Sequence, residues 1–261
     1  MTVFMFELRQ SKLSLIIWAA AIAFMLGIAI LIYPQMAPQM NELGDMFADM
    51  GSFTAAFGMD QISFGDFWGY FAIECGNVLG LGGAMFAALT GVAVLSKEQR
   101  DNTAEFLLTH PISRKKVVLQ KLFSVLAQIV LLNVIVMTVA AIATIAIGES
   151  LHIKEFVLLF AAYLFMQVQI ACITFCVSAF SSGRGIGAGL GIALALYFVN
   201  IISNLTEAAQ MLKYLTPFAY ADGAYIVANA ALRLEYIAAG AVFAAAGIIA
   251  AFVKYTQKDI L

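Results

Sequence analysis

The chain has 261 residues, of which 63% are hydrophobic and 11% charged, whereas soluble domains run at roughly 45–50% apolar and about 25% charged. A soluble protein this apolar would have too little polar surface to cover its core, so composition argues for lipid as the solvent. The formal net charge of -2 says little, because the Lys and Arg residues are unevenly placed, and nothing in it points to nucleic acid.

The first apolar run covers residues 13–33, follows Arg9 and Lys12, and is expected to end at Pro34. It exceeds the 7–15 residues or so of a signal-peptide core and is read as a retained anchor. Between residues 36 and 59, Met40, Leu43, Phe47 and Met50 recur at helical spacing. That pattern suits a short helix on the outer membrane surface, or a loop folded back on the bundle. Five further runs follow at about 66–95, 117–147, 156–180, 185–205 and 236–255. The expectation is one all-α, polytopic domain over residues 1–261 with about six spans and an outer hairpin or re-entrant segment before the last. No internal repeat or inverted duplication is visible.

With six spans both ends share a side, and the basic residues choose it. Arg9, Lys12, Lys97, Arg100, Arg114, Lys115, Lys116, Lys121, Arg184, Lys254 and Lys258 would be cytoplasmic, against Lys154, Lys213 and Arg233 outside. The expected place is the plasma membrane, with both termini cytoplasmic and lipid around the spans.

Inside the spans few residues carry chemistry. Cys75, Cys172 and Cys176 fall within apolar runs and read as small hydrophobes, and His110 and His152 are too far apart for a metal cluster. Glu74 stands about two turns, or roughly 12 Å, into the second span. A carboxylate there must be paired, protonated or facing a wet cavity. It is a translocation-path candidate together with Asn77, or else a partner of Asn77, Gln128, Asn133, Gln167, Gln169 or Asn200. Gln167 and Gln169, two residues apart, face different sides of one helix, so at least one should bond to a neighbouring helix. Gly183, Gly187 and Gly191 recur every fourth residue, a spacing that lets a neighbouring helix approach closely or slide. Trp18, Tyr33, Trp68, Tyr70 and Tyr255 sit near span ends, as interfacial anchors do.

The loop over residues 96–116 is the most polar cytoplasmic stretch. Asn102 and Glu105 make a capping-box pair, Pro111 stops a helix at or before His110, and Ser113 is placed to cap the third span. The spacing thus predicts a two-turn helix lying along the membrane. Its Phe106, Leu107 and Leu108 form an apolar face that either docks another protein or packs on the bundle's own end.

The stretch from Glu98 through Asn102, Thr103, Ala104, Glu105, Phe106, Leu107, Leu108, Pro111, Ile112 and Ser113 to Arg114 resembles the first cytoplasmic loop of ABC-2 type permeases. Asn102 stands where that family usually has Gly, and Ala104 where it usually has Leu. Residues 215–222, Leu-Thr-Pro-Phe-Ala-Tyr-Ala-Asp, resemble the family's outer Pro-Phe and aromatic-Asp element.

The resemblance implies the membrane subunit of an ABC exporter, with a coupling helix seated in a groove on a separate ATP-binding subunit. It implies that Glu98, Arg100, Thr103, Glu105 and Arg114 contact that subunit, with Phe106, Leu107 and Leu108 as the apolar seat. A second permease copy or a related permease would complete the path. ATP and magnesium would belong to the partner and no cofactor to this chain, whose only dense glycine stretch lacks the Lys and Ser/Thr of a phosphate-binding loop. The implied cargo is an amphipathic or small compound such as a peptide, lipid or drug. An ion-driven transporter with Glu74 as proton carrier is the alternative; an intramembrane enzyme finds no catalytic constellation in the chain.

Overall fold

Apolar runs longer than a bilayer is thick leave their backbone no water to bond, so each must close its own hydrogen bonds as a helix. A computed structural model describes residues 3–48, 66–97, 113–181 and 185–257, and no strand occurs among them. Helix α1 covers Val3–Ala48. The second span is composite: α2 (Phe67–Cys75), a π-helical segment (Gly76–Leu81) and α3 (Gly82–Ala93). Then come α4 (Arg114–Ala146), α5 (Ile153–Phe180) and α6 (Ile186–Leu205). Two 3₁₀ turns (Glu207–Tyr214 and Pro217–Ala219) and the short α7 (Gly223–Asn229) precede α8 (Leu234–Gln257). Six segments among the described residues are long and apolar enough to cross a membrane. The protein is an all-α, multi-pass membrane protein.

Local grammar explains the helix starts. Asp66 Oδ2 accepts the N–H groups of Trp68 and Gly69 at 3.2 and 3.3 Å, and Ser113 Oγ accepts that of Lys116 at 3.4 Å. One expected stop fails: α1 runs through Pro34 and Pro38 to Ala48. Each proline removes one N–H, but its φ fits a helix, and a long apolar helix with neighbours survives the loss. The segment after Pro34 therefore begins as a continuation of the first span, and residues 49–65 lie outside the described residues.

Helix α5 is the hub, packed between α3 and α8, while α1 lies along α4. Small residues set those contacts: a Cβ at Gly83 would fall 2.2 Å from Gln167 Nε2, and one at Gly91 2.6 Å from the Ala171 carbonyl oxygen. Large apolar side chains on α1 and α8, such as Ile16, Phe24, Val242 and Ile249, face outward, as a lipid solvent requires. The start of α1 and the end of α8 share one end of the bundle. There the Phe4 N–H donates to Gln120 Oε1 at 3.2 Å, and Arg114 Nη1 donates to the Thr256 carbonyl at 3.5 Å. At the far end Tyr33, Trp68 and Tyr70 are buried in an aromatic cluster with Phe67, Phe71 and Phe156, and the Tyr70 hydroxyl donates to the Ala29 carbonyl at 3.0 Å. Those aromatics pack helices together instead of floating at the headgroups; Tyr255 is buried too.

Candidate functional site

Two polar regions stand out in this apolar bundle, one at each end. At the end where α1 starts, Glu7 of α1 is almost fully buried with Lys121 of α4. Lys121 Nζ donates to Glu7 Oε1 at 2.7 Å and to the Val94 carbonyl at 2.8 Å, and Lys97 Nζ donates to the other Glu7 oxygen and to Gln10 Oε1. Charges out of water are tolerable only when paired and hydrogen-bonded, and these are. The knot ties together α1, the turn after α3 and the start of α4. Lys97 and Arg114 belong to the polar loop of residues 96–116 and stand on either side of residues 98–112, which lie outside the described residues; both are fastened to the bundle, one to α1 and the other to α8. Glu98, Arg100, Thr103, Glu105, Phe106, Leu107 and Leu108 lie outside the described residues, as does the short helix expected there.

The second region surrounds the π-helical segment. A π turn holds one more residue than an α turn, which widens the helix and rotates its downstream part. Gly76 and Gly80 give the room: Tyr163 of α5 lies across them, 3.4 and 3.2 Å from where their Cβ atoms would be. Beside it is a cavity of about 90 Å³ lined by Asn77, Tyr163, Asn200, Asn204, Asp222 and Arg233, among others. The Tyr163 hydroxyl and Asn200 Oδ1 are buried there without a hydrogen-bond partner among the described residues. Asp222 caps α7 by accepting the Tyr225 N–H at 3.3 Å, and it faces Arg233 at 3.8 Å, whose guanidinium lies 4.0 Å from the centre of the Tyr225 ring. Burial pushes the Asp222 carboxyl up, outweighing the Tyr225 N–H, Arg233 and Lys213, which pull it down. Burial likewise raises the Tyr220 phenol.

Asn77 is exposed at the cavity rim and Glu74, one turn earlier on the same face, is half-buried. Glu74 makes no hydrogen bond or ion pair among the described residues, and four of the polar residues expected to hold it bond elsewhere. Asn133 Nδ2 donates to Gln167 Oε1 at 2.7 Å, Gln128 Nε2 to the Ser124 carbonyl at 3.1 Å, and Gln169 Oε1 accepts from the Tyr220 hydroxyl at 2.7 Å. Gln167 and Gln169 thus both bond away from their own helix. Of the glycine series, Gly187 and Gly191 have no atom within 4 Å of where a Cβ would stand, whereas Gly185 and Gly189 are the ones packed, 2.9 and 2.7 Å from Val92. Gly183 lies outside the described residues.

The family profile described as ABC-2 family transporter protein matches residues 1–259. The chain belongs to that family. The permease is accordingly the membrane component of an ABC transporter and not its ATPase, and members of the family work with an ATP-binding subunit. No curated protein sequence matches it. The permease's sequence alone does not mark Glu7, Tyr163 or Arg233 as site residues, and it offers Asn200 only as an alternative partner of Glu74. Glu7 carried a signal, a carboxylate among the basic residues flanking the first span, but its partners are 90 and 114 residues away.

Proposed function

We propose that this permease exports a small or amphipathic compound across the plasma membrane, with its termini in the cytoplasm and with ATP and magnesium held by a separate ATP-binding subunit. The observation that carries the coupling part is the fastening of residues 97 and 114 on either side of residues 98–112. A loop free at either flank would absorb a push; one tied to α1 through Glu7 and to α8 through Arg114 passes it on. In this reading Glu98, Arg100, Thr103, Glu105 and Arg114 meet the ATP-binding subunit, and Phe106, Leu107 and Leu108 fill its groove. The basic residues at the end shared by the start of α1 and the end of α8 support the sidedness. The open faces of Gly187 and Gly191 support a second permease copy or relative against α6. Asn77 at the cavity rim, with Glu74 a turn away, supports a path along that side of the second span.

The test is co-purification of the permease with its ATP-binding subunit from nanodiscs. The wild type should bring the subunit with it, and the combined Glu105→Arg and Leu108→Asp substitution should not. A second reading draws on Glu74's lack of a partner among the described residues: an ion-coupled transporter with that carboxylate as proton carrier. It requires uptake or release driven by a pH gradient without ATP and abolished by Glu74→Gln.

A further inference from the structure

The cavity beside the π-helical segment lies in the half of the bundle opposite the start of α1. Asn77 reaches its lining from the second span, Tyr197 and Asn200 from α6, and Asp222 and Arg233 from the stretch between α6 and α8. Gly223 sits so close to α2 that a Cβ there would fall 2.8 Å from the Ala72 carbonyl oxygen, which seats the neighbouring Asp222 on the second span. The volume of about 90 Å³ has room for roughly six to nine water-sized groups. That suits a glycerol unit or the edge of a sugar ring.

The lining narrows the chemistry of what fits. Asp222 and Arg233 are its only charged residues among the described ones, so the pair leaves it without net charge. Their approach, Nη2 to Oδ2, is 3.8 Å, too long for a direct hydrogen bond and suited to one oxygen standing between them. The Arg233 guanidinium donates no hydrogen bond among the described residues, yet its side chain is 17% exposed. It is held between Tyr225, which does not line the cavity, and Asp222, which does, so its edge toward Asp222 is the one at the cavity. An oxygen filling that gap accepts from Arg233 and must donate to Asp222, and a hydroxyl does both. A carboxylate or phosphate would meet Asp222 as a like charge, and an ammonium would meet Arg233 as one. Asn77, exposed at the rim, adds a carboxamide that bonds nothing among the described residues and both donates and accepts. Tyr197 and Phe218, with ring centres 5.4 Å apart, give the lining an apolar wall.

We infer that this cavity binds a neutral group with adjacent hydroxyls, one of which bridges Arg233 and Asp222 while a neighbour bonds Asn77. That the group belongs to the exported compound rests on the export reading above. The binding itself does not, because it needs neither ATP nor the ATP-binding subunit.

The test is saturation-transfer NMR on the full chain in nanodiscs of phosphatidylcholine, a lipid whose head has no hydroxyl. Methyl glucoside is titrated beside its fully O-methylated ether, which keeps the ring and every acceptor but has no O–H, and beside the anionic methyl glucuronide. Methyl glucoside should bind saturably, at about five-fold lower concentration than either, the worth of one hydrogen bond. Asn77→Ala, at an exposed position, should weaken methyl glucoside by a similar factor, and so should Arg233→Met. Should Arg233→Met unfold the chain, Arg233→Lys, which keeps the charge beside Asp222 without the fork, replaces it. Hexyl glucoside tells the two sources of such a group apart: tighter binding than methyl glucoside marks a lipid-borne head, and equal binding a free polyol. Equal binding of methyl glucoside and its ether, or an affinity for methyl glucoside unmoved by the substitutions at both Asn77 and Arg233, overturns the assignment and leaves the cavity to water.

Discussion

Lys121 of α4 and Glu7 of α1, 114 residues apart in sequence, meet at 2.7 Å in a site with essentially no exposure. Glu7 also accepts from Lys97, so one carboxylate serves two ammonium groups. Removing it strands both. Glu7→Gln should therefore lower stability by about 3–5 kcal/mol, the range for breaking a buried ion pair from one side. Replacing Glu7 and Lys121 together with Leu and Met should cost less than the single change. Thermal unfolding of the detergent-solubilised chain decides this, and equal losses in both variants would speak against an interdependent pair.

Glycine substitutions should separate packed from open faces. Gly83→Ala puts a methyl where Gln167 Nε2 lies and should destabilise by about 1–3 kcal/mol, as overpacking does. Gly187→Ala and Gly191→Ala meet nothing among the described residues and should change the unfolding temperature little, within about 0.5 kcal/mol. If they nonetheless disrupt the purified assembly, the α6 face is where a second permease sits.

Tyr220→Phe removes the 2.7 Å bond to Gln169 Oε1 and leaves that buried oxygen unmet. A loss of about 1–3 kcal/mol is expected. Tyr220→Phe combined with Gln169→Leu should recover part of it in the same unfolding measurement.

Asp222 gives a pH dependence with a definite sign. Its carboxyl holds a proton more tightly in the folded chain than in the unfolded one, because burial raises it. Folding is therefore favoured by this group at low pH, and the advantage fades as pH rises from the ordinary carboxylate range through the raised folded value. Asp222→Asn keeps an oxygen to cap α7 and removes the titration. The wild type should lose stability relative to the variant as pH climbs across that window, and parallel unfolding curves would count against it.

The six spans were legible because lipid demands continuous apolar runs, and the Ser113 cap because a polar side chain ahead of a long helix has few other uses. The end of α1 was not, since Pro34 is a strong stop in water but only a lost hydrogen bond in a packed apolar helix. The π turn at Gly76–Leu81 left no periodic trace, and the side chain packed across its glycines, Tyr163, lies on another helix. Lys97 and Lys121 were read for the side of the membrane they mark, a local property, whereas their bonds to Glu7 depend on how three helices pack. For the same reason a four-residue glycine spacing could not say which of its neighbours, Gly185 and Gly189 or Gly187 and Gly191, faces α3.

In the proposed cycle ATP hydrolysis reaches the spans through the loop that Lys97 and Arg114 fasten. The most direct measurement is the ATP hydrolysis rate of the reconstituted complex, compared between wild type, the Glu105→Arg and Leu108→Asp combination, and the isolated ATP-binding subunit. The substituted complex should fall to the rate of the isolated subunit while its permease keeps the wild-type helical content. A rate equal to that of the wild-type complex would contradict it.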